Sequence, residues 1–253
     1  MTPPAPITQR DLAFVHGWGM HPGVWADVTK ALTPGARVRH VTLPGHGGTP
    51  AEPFDLERLT DLVHGATPPG AILVGWSLGG LAALSLARRH PQSLGAVVLV
   101  GSTPCFAQRP DWPHGWPQSA LDDFNRELEQ DCQRALRSFT SLQALGDAQA
   151  RPLGRQLAGL VRSHPPAPGA LADGMAILAT ADLRGAVADL HVPALLIHGL
   201  GDRVIPAAAG HWLAQTLPSA RWRPLADCGH APMLSQPQAV ASAIADFVRH
   251  HGA

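Results

Sequence analysis

The chain has 253 residues, and its 19 lysine and arginine residues balance 19 aspartate and glutamate residues. This balance argues against a protein that binds nucleic acid or an anionic membrane surface, because such proteins usually carry a basic excess. Hydrophobic residues make up 45% of the chain and charged residues 15%, which excludes a disordered protein, and no apolar run approaches the roughly 18–20 residues of a membrane-spanning helix.

Short apolar runs alternate with helix-length segments along most of the chain. Several of these runs are apolar throughout, as is typical of strands that are covered on both faces. The predicted strands are residues 12–15, 38–43, 71–74, 96–100, 194–198 and, more weakly, 221–225. The predicted helices are residues 22–32, 55–66, 78–90, 207–217 and 238–250. This alternation predicts an α/β fold with a mostly parallel central sheet and helices on both faces.

The alternation breaks between residues 105 and 190. This stretch shows helical spacing of apolar residues, as in Leu121, Phe124 and Leu128, and no convincing strand. We therefore expect a helical cap, residues 105–190, inserted into a core that is formed by residues 1–104 and 191–253.

A G-x-S-x-G motif stands between the third predicted strand and the helix that follows it. This strand–turn–helix setting is required of a nucleophile elbow, in which a sharp turn lifts the serine hydroxyl clear of the sheet. Gly75 and Gly79 leave room for the neighbouring elements, and Ser77 is the candidate nucleophile. The alternative is a glycine-rich turn with a helix-capping serine.

A nucleophilic serine needs a base, and the base needs an acid that orients it. In this architecture the chain order is serine, then aspartate or glutamate, then histidine. Asp202 follows the fifth predicted strand and His230 lies in the loop after the last one, so both satisfy that order. Taken singly, each could instead be a residue of a turn or a helix cap. The competing acids are Asp182, Asp189 and Asp227; we expect Asp227, so close to His230 in sequence, to point elsewhere.

The tetrahedral intermediate of acyl transfer also needs hydrogen-bond donors for its oxyanion. We assign one donor to the backbone N–H of Leu78, directly after the nucleophile. The other is the backbone N–H of Trp18, in the loop that follows the first predicted strand. We expect His16 to hold that loop by hydrogen bonds and to take no part in catalysis.

The cysteines and histidines of the chain predict neither a metal site nor a disulfide. The chain has three cysteines, Cys105, Cys132 and Cys228, which is an odd number, and no two of them have CxxC spacing. The fourteen histidines form no metal-binding motif such as HExxH. Residues 1–6 have neither the basic nor the apolar region of a secretory signal. We expect a cytoplasmic monomer without a metal or organic cofactor.

These motifs together resemble the α/β-hydrolase family over nearly the whole chain. They are HGWG at residues 16–19, LPGHG at 43–47, GWSLGG at 75–80, GD at 201–202 and GH at 229–230. Within the family the chain is most similar to the carboxylesterases of biotin synthesis, through GWSLGGL at 75–81, STPCF at 102–106, DWP at 111–113, Phe139 with Leu142 and Gln143, and HAP at 230–232. It departs from the family at the start, where the usual first antiparallel hairpin must be short or absent.

The resemblance implies hydrolysis of the methyl ester of a pimeloyl chain that is carried on acyl-carrier protein, without a cofactor. It also implies substrate-binding residues, which are Trp18, Ser77, Leu78, Phe139, Thr140, Ser141, Leu142, Gln143 and His230. The apolar cap residues among them are equally typical of a simple core. Other functions left open are a carboxylesterase or carbon–carbon bond hydrolase acting on small free substrates, and a ligand-binding protein of this fold without turnover.

The cap carries a local excess of positive charge. Between residues 133 and 171 five arginines face only one acid, Asp147, which gives a net charge of +4. Acyl-carrier protein is acidic and carries a phosphate, which arginine binds well. We therefore predict a docking face formed by Arg134, Arg137, Arg151 and Arg155. The alternatives are a solvated helix surface and intramolecular pairing with the acidic residues of segment 122–131.

Overall fold

The computed structural model of the chain describes residues 11–32 and 36–251. Within these residues, six strands form one sheet: β1 (Asp11–Val15), β2 (Arg37–Val41), β3 (Ala71–Trp76), β4 (Leu94–Val100), β5 (Ala194–Gly199) and β6 (Ala220–Leu225). The helices are α1 (Ala26–Ala31), α2 (Leu56–Ala66), α3 (Leu78–Arg89), α4 (Gln118–Gln130), α5 (Cys132–Ala144), α6 (Ala150–Ser163), α7 (Pro168–Thr180), α8 (Arg184–Val187), α9 (Ala207–Thr216), α10 (Pro232–Ser235) and α11 (Pro237–His251). The expectation that the usual first antiparallel hairpin is short or absent concerns residues 1–10, which lie outside the described part of the chain.

All pairs of neighbouring strands are parallel, in the order β2-β1-β3-β4-β5-β6. The chain leaves β1 towards one edge of the sheet to form β2 and then returns to β3 on the other side of β1. At such a switch point, the loops after the two central strands lie side by side and form a crevice. This topology brings the loop after β1 next to the G-x-S-x-G turn after β3.

Two apolar clusters cover the two faces of the sheet, because successive strand residues point to opposite sides. On one face Leu73 and Leu99 pack in a cluster with residues of α2, α3, α9 and the cap. On the other face Val74 and Val98 pack in a cluster with residues of α1 and α11, including Phe247. The predicted α/β sheet with helices on both faces is confirmed.

Most predicted segments differ from the structure by one or two residues at an end, and two of these differences have a local cause. Segment 22–32 begins with a 3₁₀ turn, Pro22–Trp25, before α1, because the His21 side chain accepts a hydrogen bond from Gly23 N–H and starts a tight turn at Pro22. Strand β2 ends at Val41 rather than at residue 43. The reason is that Leu43 N–H donates to His16 Nε2 at 3.1 Å instead of to a neighbouring strand.

Helices α4 to α8 all lie between β4 and β5 along the chain, within the segment 105–190 for which we use the name cap. Within the cap α5 packs against both α4 and α6, and α4 also contacts α7. Across the described ranges, no helix is long and apolar enough to cross a membrane.

Candidate active site

The turn after β3 forces Ser77 into an unusual backbone conformation. Its φ is 54° and its ψ is −114°, a region that side-chain-bearing residues rarely adopt. The close approach of the chain requires glycine on either side. A Cβ at Gly75 would lie 2.7 Å from Gly80 Cα, and a Cβ at Gly79 would lie 2.7 Å from the Val15 carbonyl oxygen. Such strain clusters at functional sites, and here it presents the serine at the carboxyl end of the sheet.

Asp202 and His230 meet at this end of the sheet. His230 Nδ1 lies 2.7 Å from Asp202 Oδ2, and both side chains are fully buried. The other carboxylate oxygen, Oδ1, accepts from Val204 N–H at 2.8 Å and from Ile205 N–H at 2.9 Å. The loop after β5 therefore fixes the carboxylate, and the carboxylate fixes the imidazole.

The charge of Asp202 is stabilised by two histidines. Its second contact is His198, whose Nε2 lies 3.3 Å from Asp202 Oδ2 and donates to Ile205 O at 2.9 Å. Burial raises the pKa of Asp202, but attraction to His230 and the nearby N–H groups of both histidines outweigh burial. The pKa is therefore held far below the usual range, and the group is a carboxylate at neutral pH.

His230 is also held through its backbone. Its carbonyl oxygen accepts a hydrogen bond from Trp76 Nε1 at 2.8 Å, and its N–H donates to Gln143 O at 3.3 Å. With Nδ1 donating to the carboxylate, Nε2 keeps a free lone pair. This buried atom has no hydrogen-bond partner among the described residues, so it is available to accept a proton.

The competing acids lie elsewhere. Asp182 pairs with Arg184 at 2.7 Å, and Asp189 and Asp227 are exposed. Asp227 occupies an exposed turn with φ 55°.

The loop after β1 packs against the serine turn. A Cβ built on Gly17 would lie 3.3 Å from Ser77 Cβ, which places the neighbouring Trp18 backbone beside the nucleophile. Leu78 is the first residue of α3, where a helix leaves its N–H without an intrahelical acceptor and its dipole favours negative charge. The arrangement can stabilise an oxyanion between these two residues.

His16 fixes the loop that carries Trp18. It donates from Nδ1 to Gly17 O at 2.9 Å and accepts Leu43 N–H at Nε2. Burial, followed by repulsion from His46, lowers the pKa of His16 well below its usual value. The imidazole is therefore neutral at pH 7 and tied by hydrogen bonds on both nitrogens.

The cap residues that the resemblance assigned to the substrate fall into two groups along α5. Phe139 packs edge-on against Trp18 with ring centroids 4.8 Å apart, and Thr140 and Gln143 are buried. Gln143 Oε1 has no hydrogen-bond partner within the described ranges. In contrast, Ser141 is exposed, and Leu142 is half-buried.

Four exposed arginines line a surface groove between α5 and α6. Arg151, Arg155 and Arg162 border a cavity of about 580 Å³, and Arg137 and Arg162 border its neighbour. We call this surface the arginine groove. Arg134 is different: its Nε lies 3.0 Å from Glu127 Oε1, which is the intramolecular pairing that the sequence left open.

Sequence reasoning missed two polar side chains near the site. His198 contacts Asp202 across the loop after β5, and Asp147 reaches the loop of His230 from the cap. The only signal for His198 was its place at the end of a predicted strand beside the Gly-x-Gly-Asp turn. Asp147 gave no signal beyond being the one acid in a basic segment.

The sequence matches the alpha/beta hydrolase family over residues 12–243, and the chain belongs to this family. The pimeloyl-[acyl-carrier protein] methyl ester esterase of Aromatoleum aromaticum is 46% identical over 249 residues, which cover 96% of this chain and 100% of the relative. The enzyme of the same name from Nitrosomonas europaea is 42% identical and covers 92% of this chain and 93% of its own length.

Solved structures of low sequence identity share the fold. An esterase from Exiguobacterium antarcticum has a TM-score of 0.85 at 20% identity, covering 95% of this chain and 92% of its own. The enol-lactonase from Burkholderia xenovorans LB400 has a TM-score of 0.82 at 23% identity, covering 94% of this chain and 91% of its own.

Proposed function

We propose that this chain is a serine carboxylesterase that hydrolyses pimeloyl-[acyl-carrier protein] methyl ester to pimeloyl-[acyl-carrier protein] and methanol in biotin synthesis. The observation that carries the proposal is 46% identity with an esterase of that name over its whole length. The strained serine turn and the buried Asp202–His230 pair support the chemistry. The three free cysteines fit the reducing cytoplasm as its place of action, and we propose that it acts there as a monomer.

Acylation starts with attack of Ser77 Oγ on the carbonyl carbon of the methyl ester. His230 Nε2 takes the hydroxyl proton, while Asp202 holds the ring and stabilises the imidazolium. The tetrahedral oxyanion is bound by the N–H groups of Leu78 and Trp18. Collapse of the intermediate breaks the bond to the methoxy oxygen, which leaves as methanol with the proton from His230.

Deacylation repeats these steps with water as the nucleophile. His230 removes a proton from water, the resulting tetrahedral intermediate uses the same oxyanion donors, and Ser77 regains its proton from the imidazolium. The product is a free carboxylate at the end of the pimeloyl chain. The thioester to the carrier, at the other end of the chain, stays intact.

The arginine groove is the proposed docking face for the carrier protein. Arg137, Arg151, Arg155 and Arg162 are exposed around one groove on the cap, in a chain whose overall charge is zero. Guanidinium groups suit both a phosphate and the carboxylates of an acidic partner. Since Arg134 is paired with Glu127, we give it a smaller share in docking than the sequence analysis did.

Growth rescue tests the proposed function. A bacterial strain that lacks its own pimeloyl-ester esterase needs biotin, and expression of this chain should restore growth on medium without biotin. The Ser77→Ala variant, expressed to the same level, should not. Failure of the wild-type chain to rescue, while the purified protein hydrolyses p-nitrophenyl butyrate, would leave an esterase of small free substrates as its function.

A further inference from the structure

The turn between α5 and α6 lies directly against the loop that carries His230. Asp147, in this turn, accepts a hydrogen bond at Oδ2 from Gly229 N–H, at 3.0 Å. Gly229 is the residue immediately before His230. The other oxygen, Oδ1, accepts Gln149 N–H at 2.8 Å, which fixes the carboxylate on its own turn. Asp147 is only 8% exposed; its hydrogen bond from Gly229 is buried, and the one from Gln149 is partly buried.

Two backbone hydrogen bonds join the same parts of the chain. Ala148 N–H donates to Asp227 O at 3.0 Å, and His230 N–H donates to Gln143 O at 3.3 Å. Asp227 has a φ of 55°, a conformation that persists only where surrounding contacts enforce it. The cap therefore holds the histidine loop on both sides of the contact made by Asp147.

The turn also abuts the loop of Asp202. A Cβ on Gly146, whose φ is 81°, would overlap the carbonyl oxygen of Gly201, the residue before Asp202. A Cβ on Gly201 would likewise overlap the carbonyl oxygen of Gly146. The two backbones are thus in contact, and the turn packs against the loops of both Asp202 and His230.

We infer that Asp147 is a positioning residue for ester hydrolysis. Its carboxylate fixes the backbone just before His230, so that Nε2 is held where it can take the proton of Ser77. This inference rests on the proposed role of His230 as the base. In this role the cap helps to hold His230 for proton transfer, in addition to lying over the substrate.

Because Asp147 contacts the backbone just before His230, its loss should lower the rate of catalysis and not only the stability of the cap. A displacement of about 1 Å in a catalytic group can cost on the order of 10²-fold in rate. Asp147→Ala should therefore lower kcat about tenfold to a hundredfold. KM should change little for a small ester, because the oxyanion donors and the cap residues around Trp18 are untouched.

Asp147→Asn and Asp147→Glu distinguish hydrogen-bond geometry from charge. The asparagine keeps one acceptor oxygen for Gly229 N–H but turns its NH2 group towards Gln149 N–H, so it should retain more activity than the alanine. The glutamate keeps the charge but is one methylene longer, so it should displace Gly229 and lower kcat as the alanine does. If the alanine variant does not fold, the kcat of the glutamate variant still tests the inference.

Asp173→Ala is the matched control. Asp173 lies on α7, and its Oδ2 accepts Phe54 N–H at 3.1 Å, so it too joins the cap to a backbone amide of the core. Its hydrogen bond is to Phe54 and not to the histidine loop, although the next residue, Gly174, packs against Trp18 and Leu78. Its removal should loosen the cap but lower kcat much less than Asp147→Ala does, because the backbone before His230 stays in place.

The experiment measures kcat and KM for p-nitrophenyl butyrate, the labelling rate of Ser77 by a fluorophosphonate, and Tm for these variants and the wild type. Loss of kcat and of labelling in Asp147→Ala, partial rescue in Asp147→Asn and a much smaller loss of kcat in Asp173→Ala support the inference. Wild-type kcat in Asp147→Ala, equal losses in Asp147→Ala and Asp173→Ala, or full activity in Asp147→Glu would overturn it. An inactive wild-type protein would instead refute the proposed function.

Discussion

At the scale of single residues, the site depends on groups whose positions are enforced from several directions. Ser77 stands in a strained turn, and His230 is bound through Nδ1, its N–H and its carbonyl oxygen. Nε2 is the buried nitrogen left without a partner among the described residues, and the proposed mechanism uses that nitrogen. Changing any member of the proposed triad should therefore lower the rate of hydrolysis.

Ser77→Ala removes the nucleophile and should lower kcat for p-nitrophenyl butyrate by about 10⁶, since residues that act as a unit fail together. His230→Ala should be about as damaging, and the double variant no worse than either single one. Steady-state kinetics and fluorophosphonate labelling of the purified variants measure this. A double variant far slower than both single variants would show that the two residues do not share one mechanism.

Asp202→Asn should keep the fold and lose on the order of 10⁴ in kcat, because an amide facing Nδ1 favours the wrong tautomer of His230. Circular dichroism checks the fold, and kinetics at pH 7 check the rate. Near wild-type activity would point to Asp182, Asp189 or another carboxylate as the true acid.

The proposed triad could be predicted from sequence because each member lies at a fixed place in the motif order of this architecture. The structure brings Asp202 and His230 together as that order requires. Asp147 and His198 could not be predicted in the same way. Their contacts depend on how a cap turn packs on a core loop and how a strand end meets its own loop, and no local pattern records such packing.

At the scale of elements, α6 presents its arginines at intervals that place them on one face. Arg151, Arg155 and Arg162 all border the same groove, while the buried Leu153 and Leu157 face the interior. This amphipathic division follows from the helical period. It leaves the guanidinium groups free to meet a partner without disturbing the packing beneath.

Changing Arg151 and Arg155 to glutamate should lower kcat/KM for the carrier-bound methyl ester, more strongly at low salt. Electrostatic docking acts mainly on encounter and is screened over a Debye length of about 8 Å at physiological ionic strength. Activity on p-nitrophenyl butyrate should barely change. Arg58→Glu with Arg88→Glu, two exposed positions on α2 and α3, makes the same charge change away from the cap.

Two outcomes would contradict docking at the arginine groove. If the Arg151 and Arg155 variant loses activity equally on both substrates, these arginines support the cap itself. If the control variant loses as much activity on the carrier-bound ester, the effect comes from net charge and not from the groove.

At the scale of the whole molecule, the alternation of apolar strands and amphipathic helices was enough to predict the sheet. It could not predict the strand order, which follows from long-range pairing, nor how closely the cap packs on the site. Trp18 shows this best: its Nε1 donates to Leu171 O of α7 at 2.8 Å, and its ring packs against Phe139 of α5.

The buried histidines predict that acid destabilises the whole fold. Burial is the largest cause that lowers the pKa of His16, His21 and His46 below their usual value of 6.5. As pH falls below 6.5, the unfolded chain takes up these protons first, so stability is lost through that window. Asp202 does not offset this loss, because its lowered pKa keeps its contribution intact until far more acidic pH.

Urea unfolding checks this pH dependence. As the pH is lowered from 7.5 to 5.5, the urea concentration at the unfolding midpoint should decrease, because the free energy of unfolding decreases. The slope of that free energy against urea concentration should stay unchanged, because the surface exposed on unfolding stays the same. A midpoint that is constant or that rises across this range would contradict the expectation.

The central claim is tested most directly by intact-mass spectrometry of the carrier protein. Purified methyl-pimeloyl-acyl-carrier protein is incubated with the wild-type enzyme or with Ser77→Ala. The account predicts that the wild type converts the methyl ester to the free acid with release of methanol while the thioester stays intact, and that Ser77→Ala leaves the substrate unchanged. Cleavage of the thioester instead, or an unchanged carrier substrate under conditions in which the wild type hydrolyses p-nitrophenyl butyrate, would contradict it.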